Sequence, residues 1–360
     1  MMRNGCVPSG VVDAIAVPAA ELRRHPGEPV GGAVGRTTRP PRLWTGLLLA
    51  FLLLAGPAAA ETSMSANVDE LASGFWLLPP GQRLALQDTS QTVVPDPTLS
   101  APAAERKPNW LLTSLVSAGA VTGAAINSLA DGPYESYHVD NEGWFGRNTL
   151  YGGADKAAHF VDYYIVSKEL ANLFVVLGHP RERARWMGVG VSALTGLVNE
   201  LGDGATHHGF SPEDLTMDIT GALTAALIDA AKIEDLVGFR RGIANFDDCC
   251  NYSNEIYTGD FRLAGAARRL GLNIGPLKYL LLSLTYGTRG YPGDSGTERR
   301  VGFEVGLDFR QMLDDLNVRR NTWWGYGLHV VFDNIRLPYT AVGFRYDVNH
   351  GRWYGPNAGN

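Results

Sequence analysis

Cysteine is scarce in this chain: three in 360 residues, at positions 6, 249 and 250. That excludes a small disulfide-stapled scaffold. The adjacent Cys249 and Cys250 are either two loop thiols or a strained vicinal bridge, and too few ligands stand nearby for a zinc site. Positive charge is also short, with 31 Lys and Arg against 37 Asp and Glu. No nucleic-acid partner is expected, because such a partner demands a basic face. Charged residues of both signs reach only 19%, below the roughly 25% of an average soluble domain. With 43 glycines, this leans toward an envelope protein. Missing too are a Gly-rich nucleotide loop, a Gly-x-Ser-x-Gly elbow and a His-Glu-x-x-His helix. An apolar fraction of 45% excludes a chain disordered throughout.

What is present begins with an address. Residues 47–55 are an unbroken apolar run, preceded by Arg36, Arg39 and Arg42 and followed by Gly56-Pro57-Ala58-Ala59-Ala60. A basic segment, a short apolar core and a small-residue end predict a secretory signal over 1–60, cleaved after Ala60. The run is too short for the ~20 residues a bilayer core needs. Asp13, Glu21 and Glu28 sit oddly in such a signal, which puts the expected translation start near Val34. No cysteine follows the run directly, so lipid attachment at a mature amino terminus is not expected. After residue 60 the chain carries 25 basic and 34 acidic side chains.

Three zones follow. Residues 61–108 are proline-rich and read as a linker, with a short helix at 67–78. Residues 109–240 read as a helical unit with segments at 111–130, 154–177, 181–203 and 211–236. The first holds no charge and includes Gly119-x-x-x-Gly123, a spacing that lets a second helix approach closely; it reads about equally as a weak membrane span, given its threonines, serines and Asn127, or as a core helix of a compact bundle resting on a membrane. The last opens with Ser211-Pro212-Glu213-Asp214, an N-cap serine, a proline at the first helical position and two acids facing the helix dipole. Arg181, Arg183 and Arg185 stand at the opposite, unfavourable end of their helix dipole and could meet anionic headgroups.

Residues 241–360 switch to period two. Leu280, Leu282, Leu284 and Tyr286, then Val301 to Phe309, then Thr340 to Val348 on alternate positions, predict strands with one apolar face. The stretch 324–332 reads as a further strand because Gly325 and Gly327 disfavour a helix interior, and a weaker one lies near 256–263. The fold class expected is α+β, a compact bundle of about four helices followed by a small antiparallel sheet. A membrane barrel needs about eight strands or more, so one chain of this kind would not close one alone.

Ionisable residues concentrate in three apolar pieces of the helical unit. Asp155 and His159 are four apart and share a helical face. Glu200 and Asp203 end a helix that is uncharged from Trp186 to Asn199, and His207-His208 follow. Ser211-Pro212-Glu213-Asp214 opens the next helix, with Asp218 one turn on. Two chemistries fit. A divalent metal could be held by Asp155, His159, Glu200 and Asp203. Alternatively His159 could work as acid/base, oriented by Asp155 or Glu200, on a substrate whose phosphate meets Lys156, His207 and the helix start at Ser211. A third reading makes the set a buried polar network that fixes helix register, with Asp214 as a cap. Asn141-Glu142-Gly143-Trp144-Phe145-Gly146 reads as a loop whose aromatics could cover the site.

DKAAHF at 155–160, NELGDG at 199–204 and GFSPEDLTMDITGA at 209–222 resemble the motifs of the YfiM-like family of bacterial envelope proteins, which has no established activity. More remotely, Asp-Lys-x-x-His, a helix-borne Glu and Asp-Leu-x-x-x-x-x-Gly in that order are similar to the VanZ-like membrane proteins linked to glycopeptide resistance. Those place Asn where this chain has Asp218, and often Gln where it has Asp203. The resemblance covers about 140–235 and does not reach 1–108. It implies an exported, membrane-associated envelope protein, structural or lipid-interacting, whose partner is membrane lipid or an envelope component. The alternative is a metal- or His-dependent hydrolase or transferase acting on a phosphorylated lipid or cell-wall precursor.

Overall fold

The structure, a computed structural model, describes residues 107–130, 132–244, 252–293, 296–320 and 322–356. The signal at 1–60, the linker up to 106 with its helix at 67–78, and Cys249-Cys250 lie outside the described residues.

Four long helices come first: α1 Trp110–Ala130, α2 Ala154–Val176, α3 Arg181–Asp203 and α4 Pro212–Ala230. Helix α2 is the spine. Most of its residues are buried, because α3, α4 and the first strand all pack against it. Its core face joins Ala157, Val161, Tyr164 and Ile165 to Ala225 and Ile228 of α4. Small residues set the spacing there: a Cβ on Gly221 would lie 2.1 Å from the Phe160 carbonyl oxygen.

Helix α1 packs on α3, though not through Gly119, which has nothing within 4 Å of its would-be Cβ. The contact ridge is Ala120, Ala124 and Ser128, and a Cβ on Gly202 of α3 would lie 1.9 Å from Ser128 Oγ. Small residues at a four-residue spacing do mediate the approach, one position along from the glycines. Helix α4 stops at Ala230 rather than 236. Lys232 adopts a left-handed φ of 54°, and the Ile233 N–H closes on the Ile228 carbonyl, turning the chain into the sheet. The basic start of α3 is largely spoken for, since Arg181 and Arg185 both pair with Asp229 at the end of α4.

The second half supplies β1 Val237–Ile243, β2 Glu255–Arg262, α5 Leu263–Leu270, β3 Leu280–Arg289, β4 Glu298–Leu307, α6 Phe309–Asp315, α7 Trp323–Asn334, β5 Ile335–Arg336, β6 Ala341–Asp347 and β7 Arg352–Tyr354. The strands form one sheet in the order β5-β1-β2-β3-β4-β6-β7. The α+β class is as expected, but the sheet is mixed: β5 runs parallel to β1 while the other neighbours are antiparallel. The boundary expected at 240 falls inside β1.

One expected strand, at 324–332, is instead helix α7. Thr322 caps it by accepting from the Gly325 N–H at 3.2 Å, and Gly325 sits where a Cβ would meet the Arg319 carbonyl oxygen at 2.1 Å. The side it buries includes His329, Asp333 and Asn334, so counting apolar positions picked the wrong period.

The sheet is inverted relative to a soluble one. Cross-strand partners share a face, and the register puts Arg240, Thr258, Asp260, Ser283, Thr285 and Glu304 on one side. All six are buried. Opposite stand Phe261, Leu282, Leu284, Phe303, Val305, Val342 and Phe344, of which Leu284 is 70% and Phe344 54% exposed. Helix α2 covers one end of this apolar face, where Phe160 and Tyr164 meet Phe239 of β1 edge-on and Tyr257 of β2 and Tyr286 of β3 pack into its core.

The polar face is concave. Arg336 on β5 donates to Glu304 on β4 at 2.6 and 2.9 Å, with β1, β2 and β3 between them in the sheet. Four strand spacings of ~4.8 Å would separate them by about 19 Å in a flat sheet. Only a strongly curled sheet lets these side chains meet.

The close approach at Gly221 and the open surface at Gly190 make a paired prediction. Gly221→Ala drives a methyl into backbone and should lose about 1–3 kcal/mol. Gly190→Ala, exposed with nothing within 4 Å, should gain up to about 1 kcal/mol. Urea unfolding of the two variants beside the parent checks both signs.

Candidate functional site

The acidic cluster forms where the starts of α2 and α4 meet the end of α3. Ser211 caps α4 by accepting from the Asp214 N–H at 3.2 Å. In a capping box the Asp214 carboxylate would return to the Ser211 N–H. Here Glu200 takes that place from the neighbouring helix, its Oε2 accepting from Ser211 N at 3.1 Å. Asp214 is thereby released from the cap expected of it and turns inward.

Two groups of side chains share that carboxylate. In the first, Lys156 Nζ lies 2.9 Å from Asp214 Oδ1 and 2.9 Å from Asp155 Oδ2, and also pairs with Glu142. In the second, His159 Nδ1 is 2.8 Å from Asp218 Oδ1 and 4.0 Å from Glu200 Oε1, while its Nε2 is 3.8 Å from Asp214 Oδ2. Lys156, Glu200 and Asp218 are fully buried. The His159 side chain, 17% exposed, is where the cluster reaches the surface. Tyr163, one turn on, stacks nearly parallel to it at 6.3 Å between ring centres.

Five carboxyls face one ammonium and one imidazole, and their acidities divide accordingly. Burial pushes Glu200 up to about 8, relieved only in part by His159. Burial, with Asp214 beside it, pushes Glu142 up to about 8. Asp218 rises to about 6 by burial, held there by His159. Burial opposes ionisation of Asp214, yet His159 and Lys156 outweigh it and hold this carboxyl below its usual range. For His159, burial works against the charged form, but Asp214, Asp218 and Glu200 carry it well above the ordinary imidazole value.

The structure brings Asp155, Lys156, His159, Glu200 and Ser211 into one cluster, and adds Glu142, Asp214 and Asp218. Asp203 belongs to neither set of closely spaced donor atoms and accepts instead from Asn199 Nδ2 at 3.0 Å. His207 is exposed, its ring 3.9 Å from that of His208. Lys156 is already matched by three carboxylates and Ser211 is engaged in the cap, so the surroundings suit a cation better than a phosphate. Asp218 was readable, being one turn after Asp214 on the same face. Glu142 carried no such signal, since it sits in a loop fourteen residues before Lys156. That loop's Phe145 packs edge-on against Tyr286 of β3.

These elements can be compared with known families. Residues 141–230 match the model of a family described as predicted periplasmic lipoproteins (DUF2279). The matched stretch runs from the Glu142 loop through α4 and so contains the whole cluster. The match is to a bacterial envelope family of unknown function, and it gives the chain an exported, periplasmic location. The word lipoprotein describes the family; in this chain the first cysteine after the apolar run at 47–55 is Cys249. No curated protein and no solved structure matches.

The raised acidities fix a pH dependence. Glu142, Glu200 and His159 bind protons more tightly folded than unfolded, so the folded state holds more protons above about pH 5 and stability falls as pH rises toward 8. Thermal unfolding in EDTA should show Tm falling by about 5 °C or more between pH 5.5 and 8.5, at about 2–4 °C per kcal/mol for a domain of this size. Glu200→Gln should flatten the slope. A Tm that rises across this window would contradict the assignment.

Proposed function

We propose that the protein is a membrane-associated component of the bacterial envelope, of the YfiM-like kind, whose outward apolar surfaces lie against lipid. One observation carries the reading: the curled sheet buries its ion pairs and turns Leu284, Phe303, Val342 and Phe344 outward. Polar inside and apolar outside is the arrangement that suits acyl chains in place of water, and an exposed apolar patch of this extent marks an interaction surface. Trp353, 72% exposed, extends the patch at the β7 edge with a residue type enriched at membrane interfaces.

The helical unit supports the same reading. Helix α1 is, among the described residues, the one helix long and apolar enough to cross a membrane, with 21 residues and mean hydropathy 1.3. Leu111, Leu115 and Ile126 stand exposed on it, Trp186, Leu194 and Leu201 on α3, and Leu223 and Leu227 on α4. The DKAAHF, NELGDG and GFSPEDLTMDITGA motifs all fall inside the family match at 141–230, which supports the YfiM-like assignment. A hydrolase or transferase reading draws on the way Asp218 holds His159 Nδ1 and leaves Nε2 toward Asp214, the geometry of an oriented acid/base.

Flotation of the purified chain with phosphatidylethanolamine–phosphatidylglycerol vesicles tests the lipid reading. The parent should float with the vesicles. Leu284→Lys and Phe344→Lys, which touch no buried pair, should each lower the floating fraction at least tenfold while leaving the circular dichroism unchanged, because a lysine held among acyl chains costs about 2–4 kcal/mol. A monodisperse parent that stays with the buffer in the absence of detergent would overturn it.

A further inference from the structure

The two halves of the acidic cluster are not equivalent. In one, the carboxylates of Glu142, Asp155 and Asp214 already surround a cation, the Lys156 ammonium. The other has only the His159 ring among Glu200, Asp214 and Asp218. Glu200 is 1% exposed, and its Oε1 accepts no hydrogen bond while pointing to within 4.0 Å of His159 Nδ1. Asp218, also fully buried, leaves Oδ2 equally unmatched. A buried carboxylate oxygen without a donor is costly, and a metal ion is one of the few groups that repays it.

We propose that His159, Glu200 and Asp214 bind one divalent transition-metal ion, with Asp218 as the carboxylate that orients the histidine. One donor atom from each of the three lies within 4.8 Å of the other two. Three ligands about 2.1 Å from a tetrahedral ion stand roughly 3.4 Å apart. The 3.8 Å between His159 Nε2 and Asp214 Oδ2 closes to that with a shift of a few tenths of an ångström. Asp218 accepts from His159 Nδ1 at 2.8 Å, the usual outer partner of a metal-bound imidazole, and the ion takes Nε2 in exchange for the proton that the surrounding carboxylates otherwise hold there. An imidazole with carboxylates favours Zn2+ or Mn2+ over Mg2+ or Ca2+. The His159 side chain, 17% exposed, is the part of the set that reaches the surface and gives an ion its way in. The set differs from the one expected from sequence: Asp155 and Asp203 drop out, and Asp214 enters.

The test uses the full chain in detergent, stripped with EDTA and titrated with Zn2+ by calorimetry, with bound metal counted by mass spectrometry. It does not depend on lipid contact, so it stands or falls separately from vesicle flotation. One ion per chain is expected. Glu200→Gln and His159→Gln should each weaken binding at least a hundredfold, and Asp218→Asn about ten- to a hundredfold with the stoichiometry kept. Asp203→Asn and His207→Ala should leave binding unchanged, which separates the site from the nearby surface histidines and from Asp203. Should Glu200→Gln fail to fold, His159→Gln decides on the same terms. Less than about 0.2 ion per chain for the parent, or binding that survives both substitutions, overturns the site.

Discussion

The constraint on which the rest of this structure depends is the burial of charge on the concave side of the sheet. Arg240 pairs with Asp260, which also accepts from Ser283 Oγ at 2.6 Å. Arg262 reaches Asp308 and Asp333 at 3.0 and 3.2 Å, and Arg336 holds Glu304. Each charge would cost several kcal/mol if left unmatched, and removing one partner of such a pair typically costs about 3–5 kcal/mol. The pairs therefore fix the strand register, because a slip of one residue would turn every arginine outward. They also fix the curl, because Arg336 and Glu304 meet only across a bent sheet. With the polar side chains committed to the concave face, the alternating leucines, valines and phenylalanines have no place but outside.

Helix α2 transmits this arrangement to the acidic cluster. Near its start it supplies Asp155, Lys156 and His159. One turn later Asp162 pairs with Arg241 of β1, and burial, only partly offset by that arginine, raises the Asp162 carboxyl to about 7. Further on, Lys168 donates to Asn334 Oδ1 at 2.8 Å, and Glu169 accepts from Asn334 Nδ2 at 2.8 Å. A single helix is thus tied to β1 through Asp162 and to the end of α7 through Lys168 and Glu169, with His159 one turn before Asp162 on a neighbouring face. The position of His159 relative to Glu200 and Asp214 is set by the same packing that holds the sheet.

Much of this was legible in the sequence, and the exceptions have physical causes. Helix α3 runs over the residues expected, and Ser211 caps α4 as its type and position require. The period-two stretches are strands. Which face they bury could not be read from alternation, since alternation says only that two faces differ; choosing the buried one needs the knowledge that arginines and carboxylates find partners across strands far apart in sequence. The same blindness misread α7, whose buried side is polar. In the cluster, Asp155, His159 and Glu200 came from helical spacing, whereas Asp214 was hidden behind a plausible cap that Glu200 in fact completes. Glu142 comes from a loop, where spacing carries no geometric meaning.

The most direct test of the central claim is spin-label accessibility at Leu284→Cys and Phe344→Cys on the apolar face, with His207→Cys as the reference, in the full chain reconstituted with phospholipid after Cys6, Cys249 and Cys250 are replaced by serine. Labels at 284 and 344 should collide readily with oxygen, which concentrates in acyl chains, and weakly with a water-soluble nickel chelate, while the label at 207 does the reverse. If the nickel chelate reaches 284 and 344 as readily as 207, the apolar face is turned to water and the lipid-facing account is wrong.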